Sequence, residues 1–89
     1  MTDDRPRVLL YGRADCHLCD VARGVVAAAA AAAGAGWTEI DIDAAAAHDG
    51  GALQRRYGEQ VPVVLVDGVQ QGFWRIDPGR VARALAKTR

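Results

Sequence analysis

The sequence predicts an α/β fold with the element order β-α-β-α-β-β-α. A compact apolar run at residues 7–11, ended by a glycine, is typical of a buried strand. An alanine-rich segment with apolar residues at helical spacing follows it, and a later apolar run ends in Asp67-Gly68, a dipeptide typical of hairpins. A strand–helix–strand unit pairs its strands in parallel, whereas a hairpin pairs them antiparallel. We therefore expect a four-stranded mixed sheet flanked by helices.

The first helix is predicted over residues 16–33, where the alanine run has the highest helix propensity. Asp15 is the expected N-cap, and Gly34 supplies a stop signal. Apolar and polar residues then alternate over residues 37–43, which predicts a second strand. Asp43 is the expected cap of the helix that follows.

A weaker second helix is predicted over residues 44–58, interrupted by two consecutive glycines. The β-branched run at 61–68 and the returning run at 69–76 form the predicted hairpin around the Asp67-Gly68 turn. The last helix begins with Asp77 as cap and Pro78 at the first helical position. Basic residues complement the dipole near its end, at Arg83, Lys87 and Arg89.

Three aromatic residues are interpreted as packing residues. Trp37 begins the second predicted strand and is expected to pack at the edge of the sheet. Phe73 and Trp74 are adjacent in the returning strand of the hairpin, and we expect both to belong to the core. A docking role for one of these two remains the alternative.

Size, charge and hydropathy exclude several function classes. A chain of 89 residues forms a single domain, residues 1–89. Its net charge is zero, which argues against a nucleic-acid-binding surface. The apolar run at 25–33 is too short to span a membrane, and the first residues lack the pattern of a secretory signal. We expect a cytoplasmic monomer with no membrane contact.

The chemistry is predicted to reside in the stretch CHLC, which holds both cysteines of the chain. At the start of a helix, Cys16 and Cys19 lie one turn apart on one face. The unpaired N–H groups and the dipole of the first turn favour a thiolate, and pKa values of about 3.5 to 7.5 are typical there. We predict Cys16 as the nucleophile and Cys19 as the resolving thiol of a thiol–disulfide exchange reaction. His17 is a candidate to stabilise the thiolate.

The segments LLYGRADCHLCD, VPVVLVDG and GFWRID together resemble small glutaredoxin-like proteins of the thioredoxin-fold superfamily. The resemblance spans nearly the whole chain and implies a minimal thioredoxin fold with thiol–disulfide oxidoreductase activity. It implies a cis peptide bond between Val61 and Pro62, with the backbone N–H and C=O of Val61 binding the disulfide-bearing segment of the substrate. It also implies that Arg13 binds the glycine carboxylate of glutathione.

The chain departs from that family after the hairpin, where QQGFWRIDP replaces the Gly-Gly and acidic residues that bind the γ-glutamyl end of glutathione. Asp77 is the candidate to cover part of that role. The segment GFWRID is also similar to a stretch of redoxins that accept electrons from thioredoxin reductase. The resemblance therefore implies a protein disulfide or glutathione as reaction partner and leaves a reductase as an alternative electron donor. No tightly bound cofactor is expected.

Two other functions for the cysteine pair stay open. A structural zinc site needs four ligands, and His17 and His48 are the remaining candidates in this chain. An iron–sulfur cluster shared between two chains is the second form of this metal alternative, although we expect no metal ligands here. A disulfide with only a stabilising role is the third interpretation, but its loop is too short to contribute much stability.

Overall fold

A computed structural model of the protein describes residues 6–87. The four strands form one sheet in the order β2-β1-β3-β4. The strands are β1 Val8–Gly12, β2 Trp37–Asp41, β3 Val63–Val66 and β4 Val69–Phe73. The helices are α1 His17–Ala33, α2 Ile42–Asp49, α3 Ala52–Tyr57 and α4 Pro78–Ala86. β1 pairs with β2 in parallel, and both β1–β3 and β3–β4 pair antiparallel, which confirms the predicted mixed sheet.

The second predicted helix is divided into α2 and α3 at the two consecutive glycines. Gly50 and Gly51 have φ values of 67° and 83°, a conformation that side chains other than glycine rarely adopt. The Asp49 carboxylate accepts hydrogen bonds from the backbone N–H groups of Gly51 and Leu53 and so satisfies the start of α3. The chain therefore bends at the glycines without leaving these helix-start amides unpaired.

The expected helix ends are partly confirmed. Gly34 ends α1 in the left-handed conformation, and Asp77 caps α4 by accepting from the N–H of Gly79. The predicted cap of α2 is wrong, because β2 ends at Asp41 and its carboxylate accepts from the N–H groups of Asp43 and of the next residue. The expected contribution of Arg89 lies outside the described residues.

The main core fills the space between one face of the sheet and helices α1 and α4. It consists of small and medium-sized apolar side chains: Val8, Leu10, Ala22, Val26, Val64, Val66, Val81, Ala84 and Leu85. Trp37 packs against this cluster from the edge strand β2, as expected. On the other side of β1, Tyr11 stacks on the buried Tyr57 of α3, with ring centroids 4.9 Å apart. The sheet is thus covered on both faces.

This topology brings three chain segments to one end of the sheet. The chain leaves β1 at Gly12 and enters α1 five residues later, at the carboxyl end of the strand. β3 runs antiparallel to β1 with Tyr11 opposite Val63, so the residues before β3 lie beside the end of β1. β4 ends at the same edge, because Val63 also pairs with Phe73. Among residues 6–87, no helix has the length and apolar content needed to cross a membrane.

Candidate active site

Cys16 is the N-cap of α1, the position that the sequence assigned to Asp15. Its backbone is extended (φ −119°, ψ 106°), and its Sγ accepts a hydrogen bond of 3.2 Å from the N–H of Cys19. Asp15 is exposed and has φ 55°, a conformation that aspartate tolerates in a tight turn. The sulfur therefore takes the place of a capping oxygen. It accepts a hydrogen bond from one of the N–H groups that have no partner within the helix.

The two sulfurs form a disulfide, and their environments differ. The Cα atoms of Cys16 and Cys19 are 5.2 Å apart, as helix positions three residues apart require. Cys16 is partly exposed, whereas Cys19 is completely buried. Cys16 is therefore the accessible residue of the pair. The roles of Cys16 as nucleophile and Cys19 as resolving thiol stay a prediction.

The end of β1 packs directly against Cys19. A methyl group at Gly12 would lie 3.2 Å from the Sγ atom of Cys19 and 3.6 Å from an oxygen of Glu39. Glycine at this position therefore leaves room for the sulfur of Cys19. The Glu39 carboxylate thus also lies beside the end of β1, a feature that the sequence analysis missed.

Glu39 forms the shortest ion pair near the cysteines. Its two oxygens accept from Arg23 Nε at 2.6 Å and from Arg23 Nη2 at 2.8 Å. Hydrogen bonding to Glu39, and then to Asp20, raises the pKa of Arg23 above its ordinary value. Arg23 lies one helical turn after Cys19 on α1, and Glu39 lies on β2, so only the parallel pairing of β1 and β2 brings the two together.

Val61 and Pro62 precede β3 and are joined by a cis peptide bond, as the resemblance implied. Pro62 is buried and Val61 is half-buried. The N–H of Val61 donates to the carbonyl of Tyr57 at 3.1 Å, so this N–H is already engaged within the protein. Val61 and Leu18 line the same surface groove, which places the residue before the proline beside the CHLC turn.

The remaining predicted substrate-binding residues lie in three different environments. His17 is exposed at the start of α1. Arg13 donates to the carboxylate of Asp43 in two hydrogen bonds of 3.2 Å and to the carbonyl of Gly58 at 3.1 Å. Asp77 caps α4 and lines a groove formed with residues of β4. The structure thus gives Arg13 an internal anionic partner and Asp77 a structural role.

The expectation that Phe73 and Trp74 belong to the core is wrong. Their side chains are 45% and 53% exposed, and their rings contact each other edge to face with centroids 5.0 Å apart. The reason is local: β4 ends at Phe73, and Trp74 has φ 59°, which ends the alternation of a strand. Both rings lie instead beside Leu18 and Val61, next to the cysteines.

Metal-ligating residues do not cluster in the described part of the chain. Across residues 6–87, no group of three or more histidine, cysteine, aspartate or glutamate side chains is arranged to hold a metal ion.

Comparisons with known proteins agree with this architecture. Residues 7–86 match the model of the glutaredoxin-like domain (DUF836). An uncharacterized protein of Mycobacterium tuberculosis is 32% identical over 84 residues, which cover 94% of this chain and 87% of that protein. The X-ray structure of a structural-genomics target from X. campestris has a TM-score of 0.67 and 35% identity, covering 88% of this chain and 93% of that one.

The fold is also shared with a solved plant glutaredoxin. The structure of a buckwheat glutaredoxin in complex with glutathione superposes with a TM-score of 0.57 at 19% identity, covering 90% of this chain and 76% of that one. Together with the four-stranded sheet and the Cys16–Cys19 pair at the start of α1, this confirms the thioredoxin fold. The chain belongs to the glutaredoxin-like domain family.

Proposed function

We propose that this protein is a thiol–disulfide oxidoreductase that cycles Cys16 and Cys19 between a dithiol and a disulfide. One observation carries the proposal: the two sulfurs are close enough to bond, and only Cys16 is accessible. Membership of the glutaredoxin-like family supports the same kind of chemistry. The reducing direction suits the cytoplasmic location that the sequence predicts.

The cycle begins with the reduced protein. The Cys16 thiolate, favoured by the N–H of Cys19 and by the helix dipole, attacks one sulfur of a substrate disulfide. The new bond joins Cys16 to that sulfur, and the other substrate sulfur leaves as a thiolate and takes up a proton. The Cys19 thiol then loses its proton and attacks Cys16, which forms the internal disulfide and releases the second substrate thiol. Two electrons pass from the protein to the substrate, and the two product thiols take one proton from Cys19 and one from water.

The substrates in this proposal are disulfides of proteins or mixed disulfides with glutathione. Restoring the dithiol requires two electrons from a thiol donor, for which glutathione and a thioredoxin-reductase-type protein are the candidates. Val61 and Pro62 would position the substrate beside Cys16, and the family resemblance supports this role. Since the N–H of Val61 is already bonded to Tyr57, the carbonyl of Val61 is the group proposed to bind the substrate backbone.

A redox titration tests the proposal directly. The protein is equilibrated in glutathione buffers of graded potential, and free thiols are alkylated and counted by mass spectrometry. We expect the pair to gain and lose two thiols together at a midpoint between about −270 and −120 mV, the range of related dithiols. A pair that forms no internal disulfide at any potential, or whose thiols are protected from alkylation by a bound metal, contradicts the proposal.

Two cysteine variants test the assignment of roles. Cys16→Ser should abolish reduction of a disulfide substrate, and the serine hydroxyl preserves the helix cap. Cys19→Ala should form a stable mixed disulfide between Cys16 and the substrate, because no second thiol can release it. Alanine is chosen because this position is completely buried, and burying a serine hydroxyl away from water would lower the stability of the protein. Full reductase activity of Cys16→Ser would overturn the assignment.

A further inference from the structure

An apolar groove lies beside the CHLC turn and has no role in packing the core. We call it the aromatic groove. It has a volume of about 520 Å³ and is lined by Leu18, Val61, Phe73, Trp74 and Arg75. Two of the largest exposed apolar side chains in the described chain, Phe73 and Trp74, face this single groove. An exposed apolar surface next to a reactive group is typical of a binding site.

Trp74 is held in place by backbone hydrogen bonds. Its N–H donates to the carbonyls of Pro62 at 2.9 Å and Gln60 at 3.2 Å, and its indole Nε1–H donates to the carbonyl of Glu59 at 2.8 Å. Its φ of 59° is costly for a bulky residue and persists only where the surroundings impose it. The protein therefore fixes a half-exposed indole ring beside the residues of the cis-proline turn, and this reduces the entropy lost on binding.

Positive charge continues from one end of the aromatic groove. A second groove of about 400 Å³ shares Phe73 and Arg75 with it and also contains Asp77 and Arg80. Arg75 is exposed and makes no ion pair or hydrogen bond within residues 6–87. Arg80 donates its Nε to Gln71 at 3.3 Å, which holds its guanidinium on the same side. Asp77 is the one carboxylate lining this groove, and its Oδ1 already accepts from a backbone N–H.

Of the two acidic residues that flank the CHLC turn, Asp20 is paired with Arg23 at 2.9 Å, and Asp15 is exposed. The guanidinium groups of Arg75 and Arg80 favour an acidic side chain in a bound segment that reaches their groove.

We propose that the aromatic groove binds the disulfide-bearing segment of a partner protein that has an apolar side chain next to its cysteine and an acidic side chain beyond it. The apolar side chain packs on Phe73 and Trp74, and the acidic side chain pairs with Arg75 and Arg80. This inference rests on the proposed oxidoreductase function and names its substrate class.

Glutathione fits this surface less well. The tripeptide has no apolar side chain to cover the exposed rings of Phe73 and Trp74. Arg13, which the resemblance assigns to one of its carboxylates, is already paired with Asp43. A protein segment uses both the apolar and the basic parts of the surface, so we expect it to be the better substrate.

The test measures single-turnover reduction by the pre-reduced protein, freed of its reductant, so that no electron donor is needed. Four disulfides are compared. The first is a disulfide-linked peptide with leucine beside the cysteine and two glutamates beyond it, the acidic peptide, and the second has lysines in place of the glutamates, the lysine peptide. The other two are glutathione disulfide and 2-hydroxyethyl disulfide. Each reduction transfers two electrons from Cys16 and Cys19 to the substrate, whose two thiols take one proton from Cys19 and one from water, and leaves the internal disulfide. Loss of protein thiols is followed by alkylation and mass spectrometry.

We expect the acidic peptide to react about tenfold faster than the lysine peptide, as two exposed ion pairs allow, and the difference to shrink in about 1 M salt. It should also react faster than glutathione disulfide. Arg75→Glu should remove most of the preference for the acidic peptide over the lysine peptide. Lys87→Glu, an equal charge change at the far end of α4, should not. Trp74→Asn, which suits the left-handed backbone, should slow both peptides about three- to tenfold more than it slows 2-hydroxyethyl disulfide.

The outcomes separate the two proposals. If 2-hydroxyethyl disulfide is not reduced, the oxidoreductase function itself fails. If it is reduced but the two peptides react equally, or glutathione disulfide reacts fastest, the substrate class proposed here is wrong. Equal effects of Arg75→Glu and Lys87→Glu would show that net charge, and not this groove, selects the substrate.

Discussion

The hydrogen bond from the N–H of Cys19 to Sγ of Cys16 makes a measurable prediction about stability. Cys16→Ser and Cys16→Ala both remove the disulfide, so their difference reports the capping group alone. Serine can accept the same N–H, which lies 3.2 Å from the sulfur, and alanine cannot. A lost N-cap costs about 1 kcal/mol. For a domain of this size, a change of that magnitude lowers Tm by about 4–8 °C.

The assay is thermal unfolding followed by circular dichroism, with both variants in the same reducing buffer. A matched pair at Val21, an exposed position inside α1, controls for the intrinsic preferences of serine and alanine. There the order should reverse, because alanine is the better helix former in the interior by a few tenths of a kcal/mol. Equal Tm values for the two Cys16 variants, or the same order as at Val21, would refute the capping role of the sulfur.

Two further predictions concern carboxylates near the site. Asp77→Ala should lower the free energy of unfolding by about 1 kcal/mol because the bond from Gly79 is lost, whereas Asp77→Asn should not, and chemical denaturation distinguishes them. If Asp77 also binds substrate, Asp77→Asn should lower reductase activity without loss of stability. Hydrogen bonds from Gln54 and from Arg13 hold the pKa of Asp43 below its ordinary value of 3.8. Its stabilising contribution is therefore present above that pH and is lost as the pH falls through the lower folded value; urea titrations from pH 6 to 2.5 should show a smaller acid-induced loss for Asp43→Asn.

Local sequence signals predicted most of the element boundaries. Asp77 followed by proline, the Asp67-Gly68 turn and Gly34 each fix a backbone conformation through their own chemistry, and all three act as expected. The wrong caps, Asp15 and Asp43, are acidic residues one or two positions from the true cap. These two predictions are wrong because the position of a cap depends on where the preceding strand stops pairing, which is a property of the tertiary structure.

The surroundings of the cysteines were predicted less completely. The pairing of Arg23 with Glu39 depends on the register of β1 against β2, which spacing along the chain does not reveal. The exposure of Phe73 and Trp74 depends on the end of β4 and on a positive φ at a tryptophan. The exposure of these two side chains does not follow from residue type, because large aromatic side chains are more often buried.

The sequence by itself determined the mixed sheet, the helix that begins at the cysteines, and the position of the cysteine pair, because glycine, proline and aspartate signals and apolar periodicity act over a few residues. The tertiary structure decided which sulfur is accessible, which charges are already paired, and which apolar side chains are left on the surface. Burial and ion pairing depend on segments far apart in the chain, such as Arg13 with Asp43 and Leu18 with Trp74. These residues come together only when strand pairing brings the chain after β1, before β3 and at the end of β4 to one end of the sheet.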